Sequence, residues 1–127
     1  MALLIPIGNI GTGEGQAPVR EQVTTLAGVQ RKLRFTWKER PGGGALYIDV
    51  ENLDGTIVAK NRRMSPEMYV VWDLGQGTNT GSLYVTGPEP YYQEQVGQEV
   101  QLWFLAPGET ITQAEEDPNL KLITTVL

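Results

Sequence analysis

Apolar and polar residues alternate along the middle of the chain, and this period of two constrains the fold more than any other feature of the sequence. In segment 29–38 every second residue is apolar except Arg31, the one polar residue on that face. Segment 45–52 repeats the alternation after a turn-forming stretch at 39–44 that is rich in glycine. Alternation over this length indicates half-buried strands, and the stretch between them indicates an antiparallel hairpin.

Further strands follow this hairpin. Asp54-Gly55 is a tight-turn dipeptide, and the alternating segment 56–63 after it predicts a third strand that returns along the second. Four more segments have strand character and are separated by Gly, Pro and Asn: 67–74, 81–87, 99–106 and 120–127. The sequence therefore predicts an all-β protein with seven or eight strands, a single antiparallel β-sandwich or small β-barrel with extended N- and C-terminal segments.

Segment 65–75 also fits a short helix, with Ser65 as the N-cap and Pro66 at the first helical position. This alternative would not change the predicted class. A chain of 127 residues suits one domain. We expect an extended N-terminal arm with a Gly-rich linker at 1–20, the antiparallel β-domain at 21–106, and a C-terminal extension with a final strand at 107–127.

The composition excludes several kinds of site. Because the chain has no cysteine and no histidine, it has no disulfide, no thiolate nucleophile, no Cys or His zinc site and no Ser-His or Cys-His triad. The net charge of -5 argues against binding to nucleic acid or anionic membranes, which requires clustered Lys and Arg. Residues 1–10 lack a basic region and form too short an apolar run for a signal peptide or a transmembrane helix, so we expect neither.

Three carboxylates lie close together in the stretch LYIDVENLDG, at Asp49, Glu51 and Asp54. A calcium loop of the EF-hand type needs an oxygen ligand at its fifth position and a glutamate at its twelfth. Counted from Asp49, these positions hold Leu53 and Lys60. We therefore interpret Asp49 and Glu51 as the polar face of a strand and Asp54 as part of the turn, and we expect no metal.

The protein is not expected to be an enzyme. Two carboxylates suffice for glycoside hydrolysis, but no spacing selects a pair among Glu51, Asp73, Glu89 and Glu94. The glycines of 11–15 lack the preceding strand, the following helix and the Gly-Lys-Ser/Thr of a phosphate loop, so they favour a flexible linker. No cofactor is expected.

The two ends of the chain and its exposed tyrosines are the candidates for binding. Tyr91 and Tyr92 lie in a proline-bounded loop, where the core makes few demands, and tyrosine is common at interfaces. The apolar ends are separated from the alternating body, which favours pairing with a sheet edge, their own or a neighbour's. The candidate interface residues are Leu3, Leu4, Ile5, Ile7, Tyr91, Tyr92, Leu120, Leu122 and Val126.

Four strand-and-turn motifs follow one another along two thirds of the chain. They are a Tyr-Ile-Asp-Val strand at 47–50, an Asp-Gly turn at 54–55, a G-x-L-x-V strand at 81–85 and a V-x-L-x-F strand at 100–104. With their flanking segments 24–64, 74–90 and 96–105, they resemble the small baseplate plug proteins of tailed bacteriophages, of the kind described for cyanophage baseplates. Ala45-Leu46 stands where that family often has a tryptophan.

The resemblance implies a structural virion protein of a phage tail, made in the host bacterial cytoplasm. It would be a baseplate or tail-tip plug or a hub-associated component that links tube, hub, spike and tape-measure proteins. It would form a homo-oligomer of three or six copies in the assembled tail, and it would bind no nucleic acid and no membrane in the resting virion.

Another class stays open at this point. A carbohydrate-binding module of a receptor-binding tail part would use Tyr91, Tyr92 and Trp103 as stacking platforms. Tyr47, Tyr69 and Tyr84 fall opposite the apolar residues of their strands. They indicate either a second face that is covered in an assembly or scattered surface residues without a role.

Overall fold

The computed structural model describes residues 3–7, 19–26, 28–38, 44–72, 74–75, 81–88, 91, 96–107 and 124–126. In these ranges the chain forms β-strands and turns and no helix. The strands build two antiparallel sheets with open edges, and the inner faces of both sheets contribute to one core. The predicted all-β class is confirmed, and of the two predicted architectures the protein adopts the β-sandwich.

In chain order the strands are β1 (Leu3–Ile5), β2 (Val19–Leu26), β3 (Val29–Lys38), β4 (Ala45–Asn52), β5 (Ile57–Arg63), β6 (Met68–Val71), β7 (Ser82–Thr86), β8 (Gln101–Leu105) and β9 (Thr124–Val126). One sheet has the order β1-β8-β7-β6 and the other the order β5-β4-β3-β2-β9. β6 contacts β5, and a side chain of β2 binds the backbone just after β1. One side of the sandwich, the β6 flank, therefore carries β5 and β6. The opposite side, the terminal flank, carries β1, β2 and β9.

The hairpin predicted from the alternation is present as β3 and β4, with the predicted bounds. Leu33 lies opposite Val50, and Phe35 lies opposite Ile48. All four side chains are fully buried between the sheets. The alternation thus identified the inner face of both strands.

β2 is a strand that the alternation does not reveal. Its inner face carries Gln22 and Thr24, which lie opposite Leu33 and Arg31 of β3 and are fully buried. Because polar residues occupy the inner face as well as the outer one, the apolar period is lost. The expected boundary between arm and body, after Arg20, falls inside this strand.

Segment 65–75 contains β6 and, in its described residues, no helix, so the helical alternative is wrong. Glu67 has a positive φ of 60°, and its N–H donates to the backbone of β7, which turns the chain into the strand. A register shift within β6 then buries two consecutive residues, Val70 and Val71. This irregularity explains why neither a strand nor a helix period fits the segment cleanly.

Candidate assembly surfaces

The N-terminal candidate residues Leu3, Leu4, Ile5 and Ile7 lie within the sandwich. β1 pairs with β8, and Leu4 lies opposite Trp103. Ile5 and Ile7 are buried in the main core, and Leu3 packs against it. Leu4 belongs to a second apolar cluster on the outer face of the four-stranded sheet. In the single chain these side chains therefore stabilise the fold, and they do so by pairing with a sheet edge.

Two residues of the body fix the segment that follows β1. Gln22 Nε2 donates to the carbonyl oxygen of Pro6 at 3.0 Å and to Thr24 Oγ1 at 3.2 Å. Gly97 has a positive φ of 83°, and a Cβ at this position would overlap the carbonyl oxygen of Ile7. Position 97 therefore requires glycine for its backbone conformation and for the space it leaves. Nothing in the sequence pattern marks either Gln22 or Gly97 as a contact of the N-terminus.

The C-terminal strand lies on the same flank. The strand predicted at 120–127 is present as β9, and Val126 lies opposite Gln22 of β2. Leu120 and Leu122 lie outside the described residues. Gln22 is thus the position where both ends of the chain meet, because its backbone pairs with β9 and its side chain binds the segment after β1.

Tyr91 is a core residue, so the expectation that it is an exposed ring is wrong. Only 2% of its surface is accessible. Its hydroxyl donates to the carbonyl oxygen of Met64 at 2.6 Å and accepts from the N–H of Leu46 at 2.9 Å. Its ring meets Trp37 edge to face, with centroids 5.8 Å apart. Tyr92, its predicted companion, lies outside the described residues.

A row of aromatic side chains crosses the outer face of the four-stranded sheet. Trp103 of β8 lies opposite Tyr84 of β7, which lies opposite Tyr69 of β6. The rings of Tyr69 and Tyr84 meet edge to face at 4.9 Å. Trp103 and Tyr84 are buried, and Trp103 Nε1 donates to Thr86 Oγ1 at 2.9 Å. The platform expected at Trp103 is therefore wrong, because too little of its ring is accessible to stack on a sugar.

The exposed end of this row lies on the β6 flank. Trp72 is 69% exposed, and its ring meets Tyr69 edge to face at 4.6 Å and 80°. Met68 is 59% exposed on the same edge strand. Met68 pairs with Val85, whereas Tyr69 pairs with Tyr84, so these two adjacent side chains point to opposite faces of the sheet. We call Tyr69 and Trp72 the β6 patch. The sequence placed Tyr69 opposite the apolar residues of its strand but did not reveal Trp72. Trp72 fits the apolar face of the predicted strand or helix, and the register shift cannot be seen in the sequence.

The carboxylates of segment 46–55 make separate local contacts. Asp49 accepts from the N–H of Asn61, whose positive φ of 55° accompanies an irregularity in the pairing of β4 with β5. Asp54 accepts from the N–H of Thr56 at 2.9 Å, and this bond lowers the pKa of its carboxyl. In the part of the chain that the structure describes, no three His, Cys, Asp or Glu side chains approach closely enough to hold a metal. These are the contacts of a strand face and a hairpin turn.

Arg31 lies on the inner face, as the alternation indicated, and it is only 6% exposed. Its Nη1 donates to Asn52 Oδ1 at 2.9 Å, whereas its buried Nε has no hydrogen-bond partner. The salt bridges among the described residues do not include Arg31. Desolvation lowers the pKa of its guanidinium. A buried cation in these surroundings opposes folding, because the lost hydration is not replaced by a carboxylate.

The outer face of the five-stranded sheet differs in chemistry from the aromatic row. Glu21 Oε2 lies 3.3 Å from Lys32 Nζ, and Glu21 Oε1 lies 3.9 Å from Arg34 Nη1. These pairs are partly exposed, so each contributes little to stability. Lys38 Nζ lies 4.3 Å from the ring centroid of Tyr47. One outer face of the sandwich is therefore charged, and the other is aromatic.

No protein-family model, no curated protein and no solved structure matches this chain. The described residues include no helix that is long and apolar enough to cross a membrane.

Proposed function

We propose that the protein is a structural component of a bacteriophage tail, a baseplate or tail-tip plug or a hub-associated subunit. The likeness of segments 24–64, 74–90 and 96–105 to baseplate plug proteins supports the bacteriophage assignment. The observation that carries an assembly role is the β6 patch. An exposed Trp packed against an exposed Tyr of an edge strand has the composition of a protein interface.

The geometry of the patch favours a role in contact with another protein. Tyr69 holds Trp72 edge to face, and Tyr69 is itself held by the buried ring of Tyr84. A ring that is already oriented loses less conformational entropy when a partner covers it. Trp and Tyr are also enriched among the few residues that dominate binding energy at interfaces. The terminal flank is different, since its edge strands β1 and β9 come from the two ends of the chain.

On this proposal the partners are other tail proteins: hub, spike, tape measure and tube. The chain acts stoichiometrically as a homo-oligomer of three or six copies in the virion, with no catalytic residue, metal or cofactor. The β6 patch takes the interface role that was predicted for Tyr91. Tyr92 stays a candidate interface residue, and the terminal strands keep the role given to the chain ends.

The test is co-expression of the chain with the products of the reading frames adjacent to its gene. We expect a tagged chain to purify in a defined complex with tail proteins, and the double variant Tyr69→Ser/Trp72→Ser to elute without them. The control is Val29→Ser/Leu53→Ser, which replaces two exposed apolar residues at the hairpin tips and should leave the complex intact. Adjacent frames that encode no tail protein, or a wild-type chain that elutes alone, would contradict the proposal.

One observation favours a second candidate, a carbohydrate-binding module. Trp72 offers an exposed and oriented ring, which a sugar could stack on in place of the buried Tyr91 and Trp103. A glycan array separates the two functions. Binding that is lost in Trp72→Ala and kept in Val29→Ser supports the module, whereas a blank array for the folded wild-type chain removes it.

A further inference from the structure

The N-terminal segment 3–7 occupies a formed groove of the sandwich. Along one side, the backbone of β8 pairs with β1. Ile5 is 1% exposed and Ile7 is 8% exposed in the main core, and Leu4 is 8% exposed against the outer cluster. The groove thus takes apolar side chains on both faces of one short strand.

Polar and steric contacts make this groove selective. The fully buried Gln22 donates to the carbonyl oxygen of Pro6 at 3.0 Å. Pro6 has no N–H, so it ends the ladder of β1 without leaving a donor unpaired. Directly beyond it, Ile7 passes over Gly97, where any larger residue would overlap the chain. The groove therefore fits the sequence Leu-Ile-Pro-Ile in one register.

The connection from this segment to the body is long. From Ile7 to Val19 the chain has a maximum span of about 40 Å, and residues 8–18 are rich in glycine. A domain of this size has a radius of gyration of roughly 14 Å. The connection is therefore long enough to reach the groove of a copy packed against it.

Docking on the same chain and docking on a neighbour use identical contacts. The two modes differ only in effective concentration, which is roughly millimolar when a segment is tethered by a connection of about a dozen residues. A free chain in dilute solution therefore docks its own segment. Copies held side by side in an assembly present a second groove at a comparable effective concentration, and exchange becomes competitive.

We propose that this groove is a strand-acceptor site, and that in an assembly it takes residues 3–7 of a second copy of this chain. Neighbouring copies would then be joined by β1 pairing with the β8 of the next copy. The inference does not depend on the bacteriophage assignment, and it uses the flank opposite the β6 patch.

Two full-length variants with complementary defects test it. Ile5→Asp places a carboxylate at a fully buried position, so its own segment cannot dock and its groove stays empty. Gly97→Ala closes the groove over Ile7 but leaves the segment intact. Each variant alone should be a monomer by native mass spectrometry, and an equimolar mixture should give a heterodimer of one copy of each. The control mixture pairs Ile5→Asp with Ile5→Asp/Gly97→Ala, which supplies no intact segment and should remain monomeric.

A mixture that stays monomeric while both variants are folded by circular dichroism overturns the proposal, and so does a dimer in the control mixture. If Ile5→Asp does not fold by itself, a synthetic peptide of residues 1–8 is added to it. Recovery of the β-sheet spectrum supports the acceptor site, and failure to recover the spectrum overturns it.

Discussion

Tyr91 joins three parts of the molecule through one side chain. Its hydroxyl binds the backbone N–H of Leu46 in β4 and the carbonyl oxygen of Met64 just after β5. Its ring packs against Trp37. Both backbone groups are buried where the hydrogen-bond ladder of the sheet ends, so a side chain replaces the missing strand partner.

Tyr91→Phe keeps the ring and removes the hydroxyl, which leaves two buried backbone groups without this partner. We expect the free energy of unfolding to fall by about 1–3 kcal/mol, measured by urea denaturation. Tyr69→Phe is the matched control, because Tyr69 is exposed and its loss of a hydroxyl should change stability by less than about 0.5 kcal/mol. Equal effects of the two variants would show that the hydroxyl of Tyr91 is not structural.

Arg31 gives a prediction of the opposite sign. Arg31→Met keeps the length of the side chain and removes a desolvated charge whose Nε is unpaired. We expect the isolated chain to become more stable by about 1–3 kcal/mol, seen as a higher midpoint in urea. Arg34→Met is the control, since its charge is half exposed and its removal should have little effect. A loss of stability in Arg31→Met would mean that the bond to Asn52 outweighs the cost of burial.

Among the elements, β3 and β4 could be predicted from the sequence, whereas β2 could not. β3 and β4 were predictable because buried and more exposed residues alternate from Arg31 to Lys38 and from Leu46 to Glu51. One physical cause, burial of one face, sets this pattern. In β2 the inner face carries Gln22 and Thr24, whose burial is made possible by hydrogen bonds to distant residues or to each other. Such partners are brought together only by the fold, and no local pattern records them.

Gln22 also couples β2 to the terminal flank. Gln22→Ala removes the donor to the carbonyl of Pro6, so the segment after β1 loses its buried polar contact. We expect hydrogen-deuterium exchange in residues 3–7 to speed up at least tenfold, because local opening of β1 becomes easier, while β4 stays protected. Thr25→Ala is the control, because Thr25 lies on the opposite face of β2. It should leave exchange of residues 3–7 unchanged. If β1 and β4 lose protection equally, Gln22 supports the whole fold rather than this segment.

The carboxyl of Asp54, in the turn between β4 and β5, has a lowered pKa. The N–H of Thr56 and then its hydroxyl hold the pKa of Asp54 below its ordinary value of 3.8. A carboxyl whose pKa is lowered by folding stabilises the native state above the unfolded pKa, and that stabilisation is lost as pH falls through the folded pKa. We expect the carboxyl carbon of Asp54 to titrate below 3.8 by NMR, and Thr56→Val to move the midpoint part of the way back. A midpoint at 3.8 in the wild-type chain would show that the turn bond is absent in solution.

At the scale of the whole molecule, the sandwich has two unlike flanks. On one, β5 is an edge with exposed Lys60, Arg62 and Arg63 and a pairing irregularity, which discourages pairing with other chains. On the other, β1 and β9 come from the two ends of the chain. The sequence indicated that the ends pair with sheet edges, but only the topology places them on the same flank.

The long-range contacts of β1 imply that this strand docks late in folding. Pairing of β1 with β8 closes most of the chain into a loop. Because this closure costs conformational entropy, the pairing contributes little net stability until the central strands are formed. Ile5→Val should therefore raise the unfolding rate about fivefold and leave the folding rate unchanged, measured by stopped-flow circular dichroism. Ile48→Val in β4 is the control and should slow folding. If Ile5→Val slows folding as much, β1 docks before the rate-limiting step.

The three tryptophans of the chain have a practical consequence, because each occupies a different environment. Trp37 is buried in the main core, Trp103 is buried beside Leu4 of β1, and Trp72 is 69% exposed. Fluorescence from chains that keep one tryptophan and carry phenylalanine at the other two would separate three events optically. Emission from Trp37 would follow unfolding of the sandwich, emission from Trp103 would follow departure of β1, and quenching of Trp72 would follow coverage of the β6 patch.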